Sequence, residues 1–376
     1  MDTRITNAKI VTAADVVDGS LAVVDGKIEA FEPNGSGVDF DGDYLIPGLV
    51  DIHTDNLEKH FYPRPGVDWD AQSAAIIHDG QCVSVGITTV FDSLSVGSWS
   101  DNEARHLENM LKLVEGLEVA DQKKQLKGSH LLHWRCETSS PVLEDLMSKL
   151  VPHRMTHLLS VMDHTPGQRQ YPDIEKHKAR WKAHLGLTDD EVEARVANAQ
   201  EKQAKYTPMN REVVDRIAKE RDLKLASHDD QLPEHIEQAV EIDATIAEFP
   251  TTLEAARLAK EHDMTVVMGA PNLMRGGSYS GNASAADIAN EGLLDAFASD
   301  YVPRSMIEAA FRLTLEPFNW SLPAAIATVT SNPAVSVGLT DRGEIQEGLR
   351  ADFVRVQVKE GRPLIKGVWV EGERVG

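Results

Sequence analysis

Cysteine is nearly absent: Cys82 and Cys136 are the only two in 376 residues, too few for a disulfide framework and in keeping with a reducing compartment. No stretch approaches the roughly 18 uninterrupted apolar residues that a membrane span requires. The opening residues, running to Lys9 and Ile10, hold no apolar run of signal-peptide length. A cytoplasmic protein with no membrane contact is expected. Positive charge is also scarce, with 38 Lys+Arg against 60 Asp+Glu and a net charge of -22. Such a field repels phosphate backbones and anionic lipid, which excludes general nucleic-acid binding. Any anionic ligand must therefore be held by local cations or by metal. A Gly-rich phosphate loop following a strand, a low-complexity tract and a short-period repeat are all missing.

The remaining composition, 41% hydrophobic and 26% charged, is that of a folded globular chain, and the length suits one large domain or two. Residues 21–31 alternate as a hairpin about Asp25-Gly26, and residues 353–370 alternate again, so both ends predict short strands. Between them eight apolar runs alternate with helical stretches: 45–52, 87–91, 131–137, 157–162, 223–227, 245–249, 265–268 and 293–299. Eight βα repeats predict an α/β fold, a (β/α)8 TIM barrel, with the terminal strands meeting as a small flanking β-sandwich. The expected division is 1–46 plus 335–376 for the sandwich and 47–334 for the barrel. A charged insertion at 173–221 carries a capping box at Thr188 and Glu191.

Active sites of such barrels form at the C-terminal ends of the strands. Five of the eight runs end in metal-type ligands: His53 with Asp55, His133 with Glu137, Asp163 with His164, His228 with Asp229 and Asp230, and Asp300. Residues two apart on a strand share a face, so His53 and Asp55 can grip one ion. The same rule sets Glu137 at the rim with Arg135 one layer below. Imidazole and carboxylate together suit zinc, manganese or iron, and six such groups can hold two ions with positions open for water. A second set suits phosphate. Asn272, Arg275, Gly276, Gly277 and Ser278 follow the seventh run, Gln168 and Arg169 the fourth, and Lys59 and Arg64 the first. A lone histidine is more often a hydrogen-bonded or surface group, the reading given to His106, His130, His153, His157, His184, His235 and His262.

The stretch Tyr44 to His53 (YLIPGLVDIH), with Asn332-Pro-Ala334, Gly338 to Gly343 and Gly348 to Asp352, resembles the amidohydrolase superfamily. Residues 53–65, 162–170, 226–230, 247–252, 268–272 and 275–278 resemble in particular its diphosphatase branch serving the carbon–phosphorus lyase pathway of phosphonate breakdown. The resemblance spans nearly the whole chain. It implies the barrel, the flanking sandwich and a mono- or binuclear metal centre, with His53, Asp55, Glu137, His164, His228 and Asp300 as ligands and Glu137 at the bridging position. It departs in one place: Tyr279 stands where the branch leads one to expect His.

The implied activity is release of pyrophosphate from a ribose carrying methylphosphonate at C1 and triphosphate at C5, leaving the 5-phosphate. Asp300 would take the proton from the attacking water, and Glu137 is the other candidate catalytic carboxylate. Lys59, Arg169, Arg275, Gly276 and Gly277 would hold the leaving pyrophosphate, and Arg135 another oxyanion. The rival expectations are hydrolysis of a cyclic amide, an N-acetyl group or an exocyclic amine by the same centre, and a non-catalytic scaffold. The sugar phosphonate is the expected partner, with assembly as a dimer or higher homo-oligomer.

Overall fold

A computed structural model describes residues 3–32, 36–64, 66–97, 105–278 and 281–376. The N-terminal strands are β1 (Thr3–Val11), β2 (Val16–Val24), β3 (Lys27–Glu32), β4 (Val38–Asp39) and β5 (Tyr44–Pro47). They join β14 (Phe353–Lys359), β15 (Arg362–Val370) and β16 (Glu373–Arg374) in one hydrogen-bonded sheet, ordered β16-β15-β14-β5-β1-β2-β3 with β4 on β1. Pairing is antiparallel except where β1 meets β4 and β5. This sheet encloses its own core around Ile5, Ile10, Leu21, Phe40, Phe353 and Trp369. The flanking all-β unit expected from the two termini is thus present, and β5 against β14 is the seam where the ends of the chain meet.

Eight parallel strands form the second sheet in chain order: β6 (Leu49–Thr54), β7 (Ile87–Val96), β8 (Ser129–Glu137), β9 (Thr156–Met162), β10 (Lys224–His228), β11 (Ile246–Glu248), β12 (Thr265–Gly269) and β13 (Ala296–Ala298). Each overlaps one of the eight apolar runs, the first of which, 45–52, also takes in β5 of the flanking sheet. A parallel bridge between Thr54 and Asp300 closes β13 back onto β6, so the sheet is a barrel. Its interior is packed by Val50, Ile52, Phe91, Leu158, Ala226, Ile246, Val267, Ala296 and Ala298, with Ala334 and Val337 against them. Residues of opposite parity, such as Val90, Leu132 and Trp134, pack with the surrounding helices in a separate core. The two-residue periodicity therefore sorts every strand into a barrel face and a helix face. Gly48, between β5 and β6, has a steric reason to be glycine: a Cβ there would meet Thr88 Oγ1 at 2.2 Å.

The insertion is two helices, Ile174–Leu185 and the 33-residue Asp189–Arg221. Thr188 and Glu191 form the expected capping box, Thr188 N–H donating to Glu191 Oε2 at 2.8 Å and Glu191 N–H to Thr188 Oγ1 at 3.3 Å. The longer helix is pinned to the rim of the barrel. Asn210 Nδ2 donates to the carbonyls of Thr138 and Ser140, both at 2.7 Å, and Gln200 Nε2 to that of Pro166. It thereby steadies the loops after β8 and β9, the first of which follows Glu137 and the second of which carries His164.

Candidate metal centre

Barrel closure brings the first candidates together. Asp300 N–H donates to the His53 carbonyl and Asp55 N–H to the Asp300 carbonyl, both at 2.9 Å. The ends of the first and eighth strands are stitched, and donor atoms of His53, Asp55 and Asp300 fall within 4.8 Å of one another. A second group, His164, His228 and Asp229, meets the same limit. Asp229, Phe249 and Asp300 all stand in left-handed backbone, with φ of 58°, 57° and 54°. Aspartate tolerates this conformation, but Phe249 is strained there. The turn places its ring edge-on to His53 and His228, with centroids 4.9 and 5.4 Å away.

Glu248, at the end of β11, organises the cluster. Its two carboxylate oxygens lie 2.7 Å from His53 Nδ1 and 2.6 Å from His228 Nδ1. Holding both Nδ1 atoms turns each Nε2 away from Glu248, the usual way a carboxylate orients metal-binding histidines; His228 Nε2 lies 3.5 Å from Arg135 Nη2. Burial would raise the Glu248 carboxyl, but His53 and His133 outweigh it and hold it well below the carboxylate range. Burial likewise disfavours charge on His53, yet Glu248 prevails and raises it to about 10.

Sequence reasoning passed over Glu248 because its run seemed to end without a ligand. The signal was there in the alternation, since Ile246 points into the barrel and the residue two further on must do so too. Asp229 was quoted but not chosen. Its Oδ2 is buried with no hydrogen-bond partner, 3.4 Å from His228 Nε2 and 3.9 Å from His164 Nε2. A bare buried carboxylate oxygen facing two imidazole nitrogens is costly alone and well matched to a divalent cation. The residues present fit such an ion.

Glu137 is fully buried and lies beside His164, Oε2 being 2.9 Å from Nδ1, while Oε1 accepts from Ser139 Oγ at 2.9 Å and from His164 N–H at 3.2 Å. In this geometry Glu137 aims His164 as Glu248 aims its two histidines. His133 sits deeper, its ring nitrogens against Ser93 Oγ, Ser160 Oγ and the Ile52 carbonyl, and burial pushes it down to about 3. Asp163 accepts from Thr165 N–H. Arg135 is buried in the cluster, and Nη1 donates to Asp55 Oδ1 at 2.7 Å. Burial, reinforced by Asp55, pushes Asp300 up to about 6.

From Asp229 and Asp300 an open cleft runs along Phe249, Met268 and Asn272 to Arg275, Gly277, Ser278 and Tyr301. Four of the expected phosphate-site residues, Asn272, Arg275, Gly277 and Ser278, thus line the space beside the acids. Gly276, at φ 81°, caps the short helix Ala270–Arg275, and Asn272 fixes the loop by bonding Ala283 and Ala285. Arg275 Nη1 donates to Tyr301 Oη at 3.2 Å, and Lys59 Nζ lies 5.7 Å above the Tyr301 ring. Other members are elsewhere. Arg169 is buried, bonded to Asp230 and to the His228 carbonyl at 3.2 Å; it braces the ligand strand rather than facing the cleft. Gln168 belongs to the turn after β9, and the cleft takes Gln170 instead. Arg64 is exposed in a bridge with Val67. Tyr279 lies outside the described residues.

Comparison with known proteins gives the lineage. Residues 80–375 match the amidohydrolase family. The chain is 42% identical over 376 residues to the alpha-D-ribose 1-methylphosphonate 5-triphosphate diphosphatase of Escherichia coli (strain K12), covering 99% of both chains. Among solved structures, 5-methylcytosine deaminase from Klebsiella pneumoniae superposes with a TM-score of 0.66 at 13% identity, over 99% of this chain and 98% of that one. N-acetylglucosamine-6-phosphate deacetylase from Pasteurella multocida gives 0.63 at 15% identity, over 100% of both. These two share the fold. With a closed barrel, its flanking sheet and imidazole–carboxylate groups at the strand ends, the chain is a hydrolase that belongs to the amidohydrolase family.

Proposed function

We propose that this enzyme hydrolyses α-D-ribose 1-methylphosphonate 5-triphosphate to the 5-phosphate and pyrophosphate, a step of phosphonate breakdown through the carbon–phosphorus lyase pathway. The observation that carries the reading is the 42% identity that runs over 99% of both chains. The cleft supports it, since it sets cationic and glycine-rich loop groups beside the acids, where a triphosphate needs them.

Members of this family use divalent metal, and His164, His228 and Asp229, steadied by Glu137 and Glu248, would hold an ion here. Bound there, it supplies Lewis-acid polarisation of phosphoryl oxygens and lowers the pKa of water. Zinc, manganese and iron all suit the donor set. The protein's own groups do the rest. Asp300, near 6, is a carboxylate at neutral pH and basic enough to take a proton from the attacking water. His53 and Asp55 share its rim and fix its orientation. Arg275 and Lys59, flanking Tyr301, together with Asn272, Ser278 and the backbone of Gly276 and Gly277, bind the outgoing pyrophosphate. Phosphoryl transfer draws mainly on such positioning and charge.

We place the enzyme in the cytoplasm, in keeping with its two buried thiols; no helix among the described residues is long and apolar enough to cross a membrane. Phosphorus NMR of purified protein with the ribosyl methylphosphonate triphosphate and Mn²⁺ or Zn²⁺ tests the proposal. Release of pyrophosphate is expected. Absence of release, together with hydrolysis of a cyclic amide, would transfer the site to amide chemistry.

A further inference from the structure

Lys59, Arg275 and Tyr301 come from three parts of the barrel rim and meet beside the cleft. Tyr301 is the fixed member. Asp300 N–H donates to the His53 carbonyl and Val302 N–H to that of Ser299, both at 2.9 Å. The turn that carries Tyr301 is thus pinned on either side, and its half-buried ring lines the cleft. Arg275 and Lys59 are both exposed. Arg275 is the last residue of the helix Ala270–Arg275, and Nη1 donates to Tyr301 Oη at 3.2 Å. Lys59, on the helix Asn56–Phe61, has its Nζ 5.7 Å from the centre of the same ring. That ammonium also donates to Asn56 Oδ1 at 3.2 Å, and Asn56 Nδ2 donates to Thr54 Oγ1 at 2.7 Å, which ties it back to the end of β6. It makes no ion pair with a carboxylate among the described residues, an uncancelled positive charge in a chain of net charge -22.

Exposed lysine and arginine side chains sample many rotamers in water, and ordering them when a ligand arrives subtracts from affinity. Like charges also drive them apart. A tyrosine counters both effects, because its phenol oxygen accepts from a guanidinium while its ring face attracts an ammonium. One ring so placed keeps two cations near each other before any anion is bound. Two neighbouring phosphoryl groups can engage both cations, and a single phosphate gains less from the pair.

We propose that Tyr301 is a positioning residue: it holds Arg275 and Lys59 as a two-cation clamp and so makes the leaving-group end of the cleft select pyrophosphate over a single phosphate. The inference rests on the reading of the enzyme as a diphosphatase and adds to it the group that sets the leaving-group preference.

Isothermal titration calorimetry of the full-length, metal-loaded protein with inorganic pyrophosphate, and in parallel with inorganic phosphate, tests it. Tyr301→Phe keeps the ring and removes the acceptor, and should weaken pyrophosphate binding by about fivefold. Tyr301→Leu removes both and should weaken it by about twentyfold, with phosphate binding changed less than about twofold in either variant. Because Tyr301→Phe acts through Arg275, it should add nothing to the loss in Arg275→Ala, whereas Tyr301→Leu should still cost about threefold there through Lys59. In turnover Tyr301→Phe should raise KM with kcat retained, a split that general loosening of the fold does not produce. Pyrophosphate binding unchanged in both Tyr301 variants, or a Tyr301→Phe loss that adds in full to that of Arg275→Ala, would overturn the inference; release of pyrophosphate from the ribosyl triphosphate by wild type would then leave the diphosphatase reading standing. A wild type that neither binds pyrophosphate nor releases it would overturn both.

Discussion

Two buried clusters of this barrel have nearly the same ingredients and opposite surroundings. At the strand ends, His53 and His228 share Glu248. On the helix face, between the helix Ala71–Ser84 and strands β7 and β8, His78 and His130 share Asp92 at 2.8 Å each, and Asp79 lies 3.4 Å from His130. Both contain two imidazoles bridged by one carboxylate, fully or almost fully buried. The difference is the outlet. The strand-end cluster opens to a cleft through Asp229 and Asp300. In the helix-face cluster Asp79 spends its oxygens on the backbone N–H groups of Lys127 and Gly128. Composition alone thus fails to mark a functional site. A cavity, and an acceptor left bare towards it, distinguish a centre built to bind from one built to hold the fold.

Substitutions can break this comparison, and the largest effect belongs at the open cluster. Asp300→Asn should lower kcat by about 10³-fold, the scale of losing a positioned base, with bound metal retained. Near-normal pyrophosphate release measured by phosphorus NMR would remove its assigned role. At the closed cluster Asp92→Asn should leave kcat per folded molecule unchanged while costing about 3–5 kcal/mol of stability, because it leaves a charged imidazole underpaired. Denaturant unfolding reads the loss, and a fall in kcat instead would mean the two clusters are coupled. Glu248→Gln should loosen both imidazoles and weaken metal affinity by about 10–100-fold, measured by competition with a chelator. Arg275→Ala should raise KM by about tenfold with kcat little changed, as expected where binding is lost equally before and at the transition state.

The smallest effect is a pH trend. Burial opposes charge on both partners, but their attraction wins, raising His130 from 6.5 to about 10 and lowering Asp92 from 3.8 to about 2. A raised histidine stabilises fully below its unfolded value and loses that contribution as pH climbs through the folded one. A lowered carboxylate stabilises above its unfolded value and loses the contribution as pH falls. The gap in melting temperature between wild type and Asp92→Asn should therefore be widest between about pH 4 and 6.5 and shrink towards pH 10. A gap that grows across that range would contradict the pairing.

The eight strands could be read directly, because a strand buried on both faces needs a short apolar run and a barrel repeats it eight times. The capping box at Thr188 was equally visible, being a local pattern three residues apart. His53, Asp55, His228 and Asp300 were found because each follows its run within three residues. Glu248 was overlooked because its run continued into Phe249 and gave no polar boundary. Arg169 was taken for a substrate group because sequence reveals charge but not the direction in which a guanidinium points; Asp230 turns it inward.

What the amino-acid order determined by itself was periodic and local: strand and helix, cap and turn, and which residue types stand at the ends of strands. Only the tertiary structure decided which of them meet, since β13 must close on β6 before Asp300 can stand beside His53. It also set the two His–carboxylate clusters on opposite faces of the same strands, one towards the cleft and one towards the helices. The physical reason is that hydrogen bonds, charge pairing and burial act through space over a few ångströms, between residues as far apart in the chain as Asp43 and Arg355.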